Sequence, residues 1–438
     1  MKVLDKTLLL LGGSFQQCIA IEKAKALGIR TVLCDYLPDN PGRNLADVFY
    51  LRSTTDRDRV LAVARKEKVD GIFAYASDHA APTAAFVAEQ LGLPTNPLKA
   101  VEILSFKKRF RAHLAEVGLP CPQTVSFAAS LTLEEVQAKL QALPMPFVMK
   151  PTDSSGSKGV TVVRQALDVP MALASAKQHS RNGTLIVETY LEKEFPYVIG
   201  GDIFVLNGKI AFDGLMSCIR DPKCALIPGG EIYLSGLRPN QKSVVIDVLS
   251  KLIVSLGLRF GELNVEVILG SDNTPYVMEL GARAGGNFIP LQLSDVSGID
   301  LVQANVLCAL GITPEKIEFS GNGAAAAICV VHSAEAEIFR RLRIAPEISP
   351  SVYRKVMYKR EGDPVEVFNG ANQALGILFL RFETVEQLQN FVRGKDELVQ
   401  VEVDSQVNPL NNIEICRGGV SANAECFAVR VLCGGAGR

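Results

Sequence analysis

The 438-residue chain has no tryptophan, only four histidines and no Cys-x-x-Cys pair. Zinc ribbons and thiol–disulfide sites need close spacing to bring two sulfurs to one point, and the scattered His79, His113, His179 and His332 make no metal-ligand spacing. Zinc and dithiol chemistry are therefore excluded. The ten cysteines stand apart, several inside apolar runs such as Val32-Leu-Cys34-Asp and Ala327-Ile-Cys329-Val, and read as reduced small hydrophobes. A surplus of one charge is also lacking: 46 basic residues balance 47 acidic ones. That leaves no electrostatic footprint for nucleic acid or an anionic membrane, so neither is expected as a partner. The longest apolar runs, Leu8–Leu11 and Ala324–Val331, fall far short of the ~20 residues of a membrane helix. No leader pattern precedes the first strand-like run, and a cytoplasmic location is expected. What is present is a 48% hydrophobic, 21% charged composition, enough for a sizeable core. At ~100–200 residues per domain, the length predicts two to four domains.

Residues 1–104 alternate short apolar strands (Thr7–Leu11, Thr31–Cys34, Val48–Leu51, Gly71–Ala74) with helices (Gln17–Leu27, Arg57–Glu67, Ala80–Leu91). That rhythm predicts a doubly wound α/β domain with a parallel sheet, Rossmann-like. Gly12 and Asp35 stand where a dinucleotide fold places a glycine and a ribose acid, but Gly12-Gly-Ser-Phe-Gln-Gln lacks the third glycine and the G-x-G spacing. A helix over Ala100–Gly118 leads into a mixed α+β region, 105–315, which divides into 105–190 and 191–315. Residues 316–416 read as a β-rich C-terminal domain with strands at Gly323–Val331, Val352–Lys359, Val365–Phe368 and Ile377–Phe382. The tail, 417–438, lacks periodicity and is expected to be poorly ordered.

Three segments concentrate chemistry. In Lys150-Pro-Thr-Asp-Ser-Ser-Gly156-Ser-Lys158-Gly159, a strand delivers a lysine into a loop of small residues. Such a loop lets backbone N–H groups approach phosphate oxygens, although an ordinary hairpin turn has the same composition. It is not a Walker A loop, because a strand follows where that motif needs a helix. In Leu185-Ile-Val-Glu188-Thr-Tyr-Leu191-Glu-Lys-Glu194, an apolar strand runs into three carboxylates, suited either to a nucleoside or to solvent. The third segment is a hairpin in which Glu266 and Glu279 each alternate with apolar neighbours, so both can point to one face. Two inward carboxylates cost several kcal/mol unless neutralised, and Mg²⁺ held by them together with nucleotide phosphates would do so. Arg283 then offers a planar cation to a transferring phosphoryl group, and Gly285-Gly286 offers backbone donors.

Taken in order, Lys107 in a helix ending Gly-Leu-Pro, Lys150 in Met-Lys-Pro, the Ser/Gly loop, Glu188-Thr-Tyr-Leu191, Glu266 and Glu279-x-x-x-Arg283 resemble the ATP-grasp superfamily. The layout is similar to its carboxylate–amine ligases: amino-acid (dipeptide) ligases, carboxyaminoimidazole ribonucleotide synthetase and halves of carbamoyl-phosphate synthetase. The resemblance implies an ATP-grasp fold preceded by the α/β domain and followed by the β-rich domain. It further implies that Lys107, Lys150 and the loop Ser154, Ser155, Gly156, Ser157 and Gly159 hold ATP, with Glu188, Thr189, Tyr190 and Leu191 as adenine hinge and Glu194 at the ribose. Glu266 and Glu279 would bind Mg²⁺, with Mn²⁺ as a substitute; Arg283 and Lys158 would be catalytic. One departure stands out: many members carry Asn two residues after the second glutamate, where this chain has Gly281.

The implied reaction is ADP-forming. A small-molecule carboxylate is phosphorylated to an acyl phosphate, which an amine attacks; a homodimer is a possible assembly. A purine-pathway or carbamoyl-phosphate-type synthetase or carboxylase and a catalytically silent nucleotide-binding regulator are the alternatives. Substrate contacts are assigned to Arg220, Gly285, Gly286, Asn287 and His79. Residues 217–238 are expected to form a long irregular loop.

Overall fold

The computed structural model describes residues 5–154, 158–221, 227–315, 317–321 and 323–404. The tail predicted at 417–438 lies outside the described residues, as do Ser155, Gly156 and Ser157 of the loop. The N-terminal elements are β1 (Thr7–Leu11), α1 (Phe15–Ala26), β2 (Arg30–Asp35), β3 (Val48–Leu51), α2 (Arg57–Glu67), β4 (Gly71–Phe73) and α3 (Ala81–Leu91). Their strands form a parallel sheet in the order β3-β2-β1-β4, as the alternating pattern predicts. Asp35 accepts the Gly13 N–H at 2.7 Å and the Leu37 N–H at 2.8 Å, so both its oxygens serve the backbone.

The helix predicted over 100–118 breaks at Phe106, whose backbone is extended, into α4 (Leu98–Ser105) and α5 (Lys107–Glu116). The first N–H of α5, that of Lys107, donates to Thr152 O at 3.1 Å, satisfying a donor that a helix start leaves open. A small antiparallel layer follows: β5 (Thr124–Ala128), α6 (Leu133–Leu140), β6 (Phe147–Pro151), β7 (Thr161–Val163), α7 (Val169–His179) and β8 (Thr184–Thr189), with strand order β5-β8-β6-β7. Its core includes Phe147, Met149, Val187 and, from the helices, Val136 and Leu173.

Next come β9 (Val198–Leu206), β10 (Lys209–Arg220), β11 (Pro228–Tyr233), α8 (Pro239–Leu256), β12 (Phe260–Leu269), β13 (Pro275–Gly281), α9 (Ile289–Ser297) and α10 (Leu301–Ala309). The C-terminal elements are β14 (Ala325–Val331), β15 (Ile338–Ile344), β16 (Val352–Met357), β17 (Gly376–Phe382), α11 (Val385–Leu398) and β18 (Val399–Asp404). One eight-stranded sheet spans both groups in the order β13-β12-β9-β10-β11-β14-β17-β16. Helices α4, α5 and α8 pack on one face of this sheet through Leu104, Phe110, Val245 and Leu249. Helices α9 and α10 cover the other through Leu293, Leu301 and Ala304. Helix α10 also meets α1, which docks the N-terminal sheet against that second face.

Two sequence expectations are corrected here. Most of 217–238 is not a loop: β10 runs to Arg220 and Pro228–Tyr233 forms β11, held between β10 and β14. The glycine-rich Pro228-Gly-Gly-Glu-Ile-Tyr has little strand propensity of its own, and two ladders override it. Conversely Val365–Phe368 is no strand and makes only an isolated bridge at Val367, although its residues favour one.

Candidate functional site

The β12–β13 hairpin pairs Glu266 directly with Glu279. Opposed residues of an antiparallel pair share a face, so the two carboxylates stand together. The register shifts just after Glu266, and such a bulge re-aims side chains beside a site. Lys107 Nζ lies 3.4 Å from Glu279 Oε2 and donates to Ser154 O at 2.9 Å, tying the start of α5 to both the hairpin and the loop. Among the described residues no cluster of three or more His, Cys, Asp or Glu is arranged for a metal ion. Two facing carboxylates without further protein ligands fit Mg²⁺ that takes its other oxygens from phosphates and water.

Arg283, four residues beyond Glu279, is clamped by the N-terminal domain. Its Nε donates to Asp78 Oδ1 at 2.7 Å and its Nη2 to Asp78 Oδ2 at 2.6 Å, while Nη1 donates to Ala284 O at 3.0 Å. Burial alone would raise the Asp78 carboxyl; the facing guanidinium overrides it and holds the group below the usual carboxylate range. A bidentate pair fixes the plane of the guanidinium. Gly281 belongs to this geometry, because a Cβ there would stand 3.2 Å from Asp78 Oδ1 and 3.3 Å from Arg283 Cζ. A larger residue would crowd the clamp.

Behind the site runs a buried ion cluster. Arg111 Nε donates to Glu188 Oε1 at 2.7 Å, Lys150 Nζ pairs with Glu188 Oε2, and Arg111 Nη2 donates to Met278 O at 2.9 Å. Glu188 is fully buried; burial pushes its carboxyl up, but Lys150 and Arg111 pull it down to about 2. Burial lowers the Lys150 ammonium. The Glu188 side chain is therefore committed to two cations. Next to it the Thr189 N–H donates to Gln123 O at 3.0 Å, and the Tyr190 N–H donates to Pro146 O at 3.1 Å. Leu191 is half-buried, while Glu194 is exposed and lies 3.8 Å from Arg238. In the loop, Ser154 Oγ donates to the Lys158 carbonyl at 2.9 Å, leaving the Lys158 side chain exposed. Gly159 has φ +71, and a Cβ there would meet His179 Cβ at 2.9 Å, so the turn requires glycine.

The residues assigned to substrate divide. Arg220 Nη2 donates to Glu266 Oε1 at 2.9 Å, placing it at the carboxylate pair. The Gly285 N–H, expected to be a free donor, gives its hydrogen to Asp202 Oδ2 at 2.7 Å. Gly286 and Asn287 approach the N-terminal domain: the Asn287 N–H donates to Gln16 Oε1 at 2.8 Å. His79 lies 3.3 Å from Arg181 of the small layer, and burial followed by that cation lowers its pKa. Asp202 itself is fully buried, accepts from Asn264 at 2.9 Å and is pushed up to about 6 by burial. Burial likewise raises its neighbour Glu262 well above the usual carboxylate range.

Two family models match the chain. Residues 21–95 match the ATP-grasp N-terminal domain, and residues 107–197 match the ATP-binding domain of the carbamoyl-phosphate synthase L chain. These segments hold Lys107, Lys150, Glu188 and Glu194. Over these two segments the chain is similar to ATP-grasp proteins. Among curated relatives, carnosine synthase 1 of Mus musculus is 27% identical over 342 residues, covering 70% of this chain and 40% of that protein. The formate-dependent phosphoribosylglycinamide formyltransferase of Synechococcus sp. (strain CC9605) is 33% identical over 191 residues, covering 42% of this chain and 47% of that protein. The chain thus spans less than half the length of either relative. Among solved structures, the L-amino acid ligase from Bacillus licheniformis superimposes with a TM-score of 0.77 at 19% identity, over 92% of this chain and 99% of that one. That likeness shows the ATP-grasp fold.

Sequence reasoning missed Arg111, and the signal was present: it stands four residues after Lys107, one turn along the same helix face. It also passed over Asp202 and Gln16, which are separated from their partners by 83 and 271 residues and have no local signature.

Proposed function

We propose that this ATP-grasp chain is an ADP-forming carboxylate–amine ligase working through an acyl phosphate. The observation that carries the reading is the convergence of the Glu266–Glu279 pair, Lys107 and the clamped Arg283 at the junction of three sheets. ATP is the phosphoryl donor. Glu266 and Glu279 would hold Mg²⁺ (or Mn²⁺), which supplies countercharge to the phosphates. Lys107, with Lys158 from the loop, draws the phosphates toward the hairpin. Arg283 faces the carboxylate that accepts the γ-phosphoryl group, and its fixed plane stabilises the charge that develops there. No side-chain nucleophile is required. The cysteines described as free fit a reducing compartment, and we place the reaction in the cytoplasm, on small molecules. No helix is long and apolar enough to cross a membrane among the described residues.

The test is incubation with Mg-ATP, a panel of carboxylic acids and hydroxylamine, which captures an acyl phosphate as a hydroxamate. Acid-dependent ADP release with hydroxamate supports the reading. ATP binding without ADP release across the panel points instead to a regulator. Glu279→Gln is expected to raise the Mg²⁺ concentration for half-maximal ADP release about tenfold or more. An unchanged Mg²⁺ titration would remove Glu279 from the metal site.

A further inference from the structure

The face of the large sheet that carries Glu266 also carries Glu231, a carboxyl group that the steps above do not use. Glu231 of β11 lies opposite Cys218 of β10. A Cβ on Gly200 of β9 would stand 3.1 Å from Glu231 Oε2 and 3.6 Å from Cys218 Cβ, so these three positions share a face. Gly200 and Asp202 alternate along β9, Asn264 bonds Asp202, and Asn264 and Glu266 alternate along β12. The same face therefore runs from Glu231 to the Glu266–Glu279 pair, and Arg220 spans part of that distance to reach Glu266.

Glu231 is only 4% exposed, and no hydrogen-bond partner meets its Oε2 among the described residues. Buried acids are normally paired, so an unpaired oxygen beside a reaction site marks a place for a missing cation or donor. Position 200 carries no side chain, and a Cβ there would crowd this oxygen, so glycine leaves room for it against β9. Burial pushes the carboxyl up to about 8; of the groups facing it, Arg220 lowers it, the Cys218 thiol adds a weak donor, and Glu266 and Asp202 raise it. With the site empty the group keeps its proton at neutral pH; an ammonium ion beside it favours the carboxylate, which can then take a proton back near neutral pH.

Resting on the ligase reading, we propose that Glu231 receives the amine of the second substrate and acts as its base. A primary amine arrives as the ammonium ion and pairs with the carboxylate. Glu231 takes one proton, and the freed nitrogen lone pair attacks the acyl carbon. The bond from that carbon to the phosphate oxygen breaks, and the phosphate leaves with the remaining surplus N–H proton, giving the amide and hydrogen phosphate. The acceptor is thus a cationic primary amine, not a neutral amide or an alcohol.

The experiment compares wild type with Glu231→Gln on the acid that the panel identifies, using hydroxylamine and amino-acid amines in turn. Hydroxylamine is already unprotonated at neutral pH and needs no base. Glu231→Gln is expected to form hydroxamate within about threefold of wild type while losing amide formation by about 10²-fold or more. Equal loss of both products, or retention of both, overturns the assignment. Should the variant not fold, wild type alone decides. Its rate at pH 7 should change less than about tenfold from weakly to strongly basic amines, and a steady fall of about tenfold per unit of amine pKa overturns the proposal. Absence of ADP release by wild type with every acid overturns the ligase reading itself, a result distinct from failure of Glu231 alone.

Discussion

Replacing Arg283 with alanine is expected to lower ADP release by about 10³-fold while leaving ATP affinity within about threefold. The guanidinium is aimed by two hydrogen bonds to Asp78, and that aim is what a developing phosphoryl charge would use. Lysine should not restore the rate, since an ammonium is a point charge without the planar fork. Removing Arg283 also strands a partly buried Asp78 carboxylate, so a loss of activity alone is ambiguous. The double variant Asp78→Asn/Arg283→Ala removes that charge as well. Unfolding in urea should show it recovering stability over Arg283→Ala, with turnover still down by about 10³-fold. If the double variant regains turnover, Arg283 serves the fold and not the reaction.

The second large effect concerns stability. Arg111→Met should destabilise the protein by about 3–5 kcal/mol, because Glu188 then keeps only Lys150 in a fully buried place. Urea unfolding at neutral pH measures it, and a loss below about 1 kcal/mol would mean that Lys150 alone suffices. The pH dependence has a definite sign. The Glu188 carboxyl is lowered on folding from 4.5 to about 2, so the folded state holds fewer protons than the unfolded one between these values. Its contribution is complete above pH 4.5 and is lost as pH falls toward 2. Glu188→Gln should flatten that limb of the stability curve, and an unaltered acid limb would show that other carboxylates set it.

The two predictions mark what was legible and what was not. Glu266 and Glu279 are readable because strand alternation is local: a carboxylate between Val265 and Val267, and another between Met278 and Leu280, announce a face. The parallel N-terminal sheet is readable from another local signal, short apolar runs such as Leu8–Leu11 that alternate with helices. The break at Phe106 is not, because no proline or glycine interrupts the helical pattern before Gly118; in the structure Phe106 is extended and the Lys107 N–H donates to Thr152 O. Glu188 looks like a nucleoside contact in sequence; only the fold brings Arg111 of α5 to its side chain. Strand β11 is hidden by its own glycines and exists because β10 and β14 flank it.

The sequence by itself determined the α/β and α+β character, the alternating elements of the N-terminal domain and the facing pair Glu266 and Glu279, since these depend on spacings within a few turns or strands. Only the tertiary structure decided which distant groups meet. Arg283 finds Asp78 across 205 residues and Gly285 finds Asp202 across 83, pairings that carry no sequence periodicity. The physical reason is that a polar group removed from water takes whichever partner the topology brings within about 3 Å, and chain separation does not enter that choice.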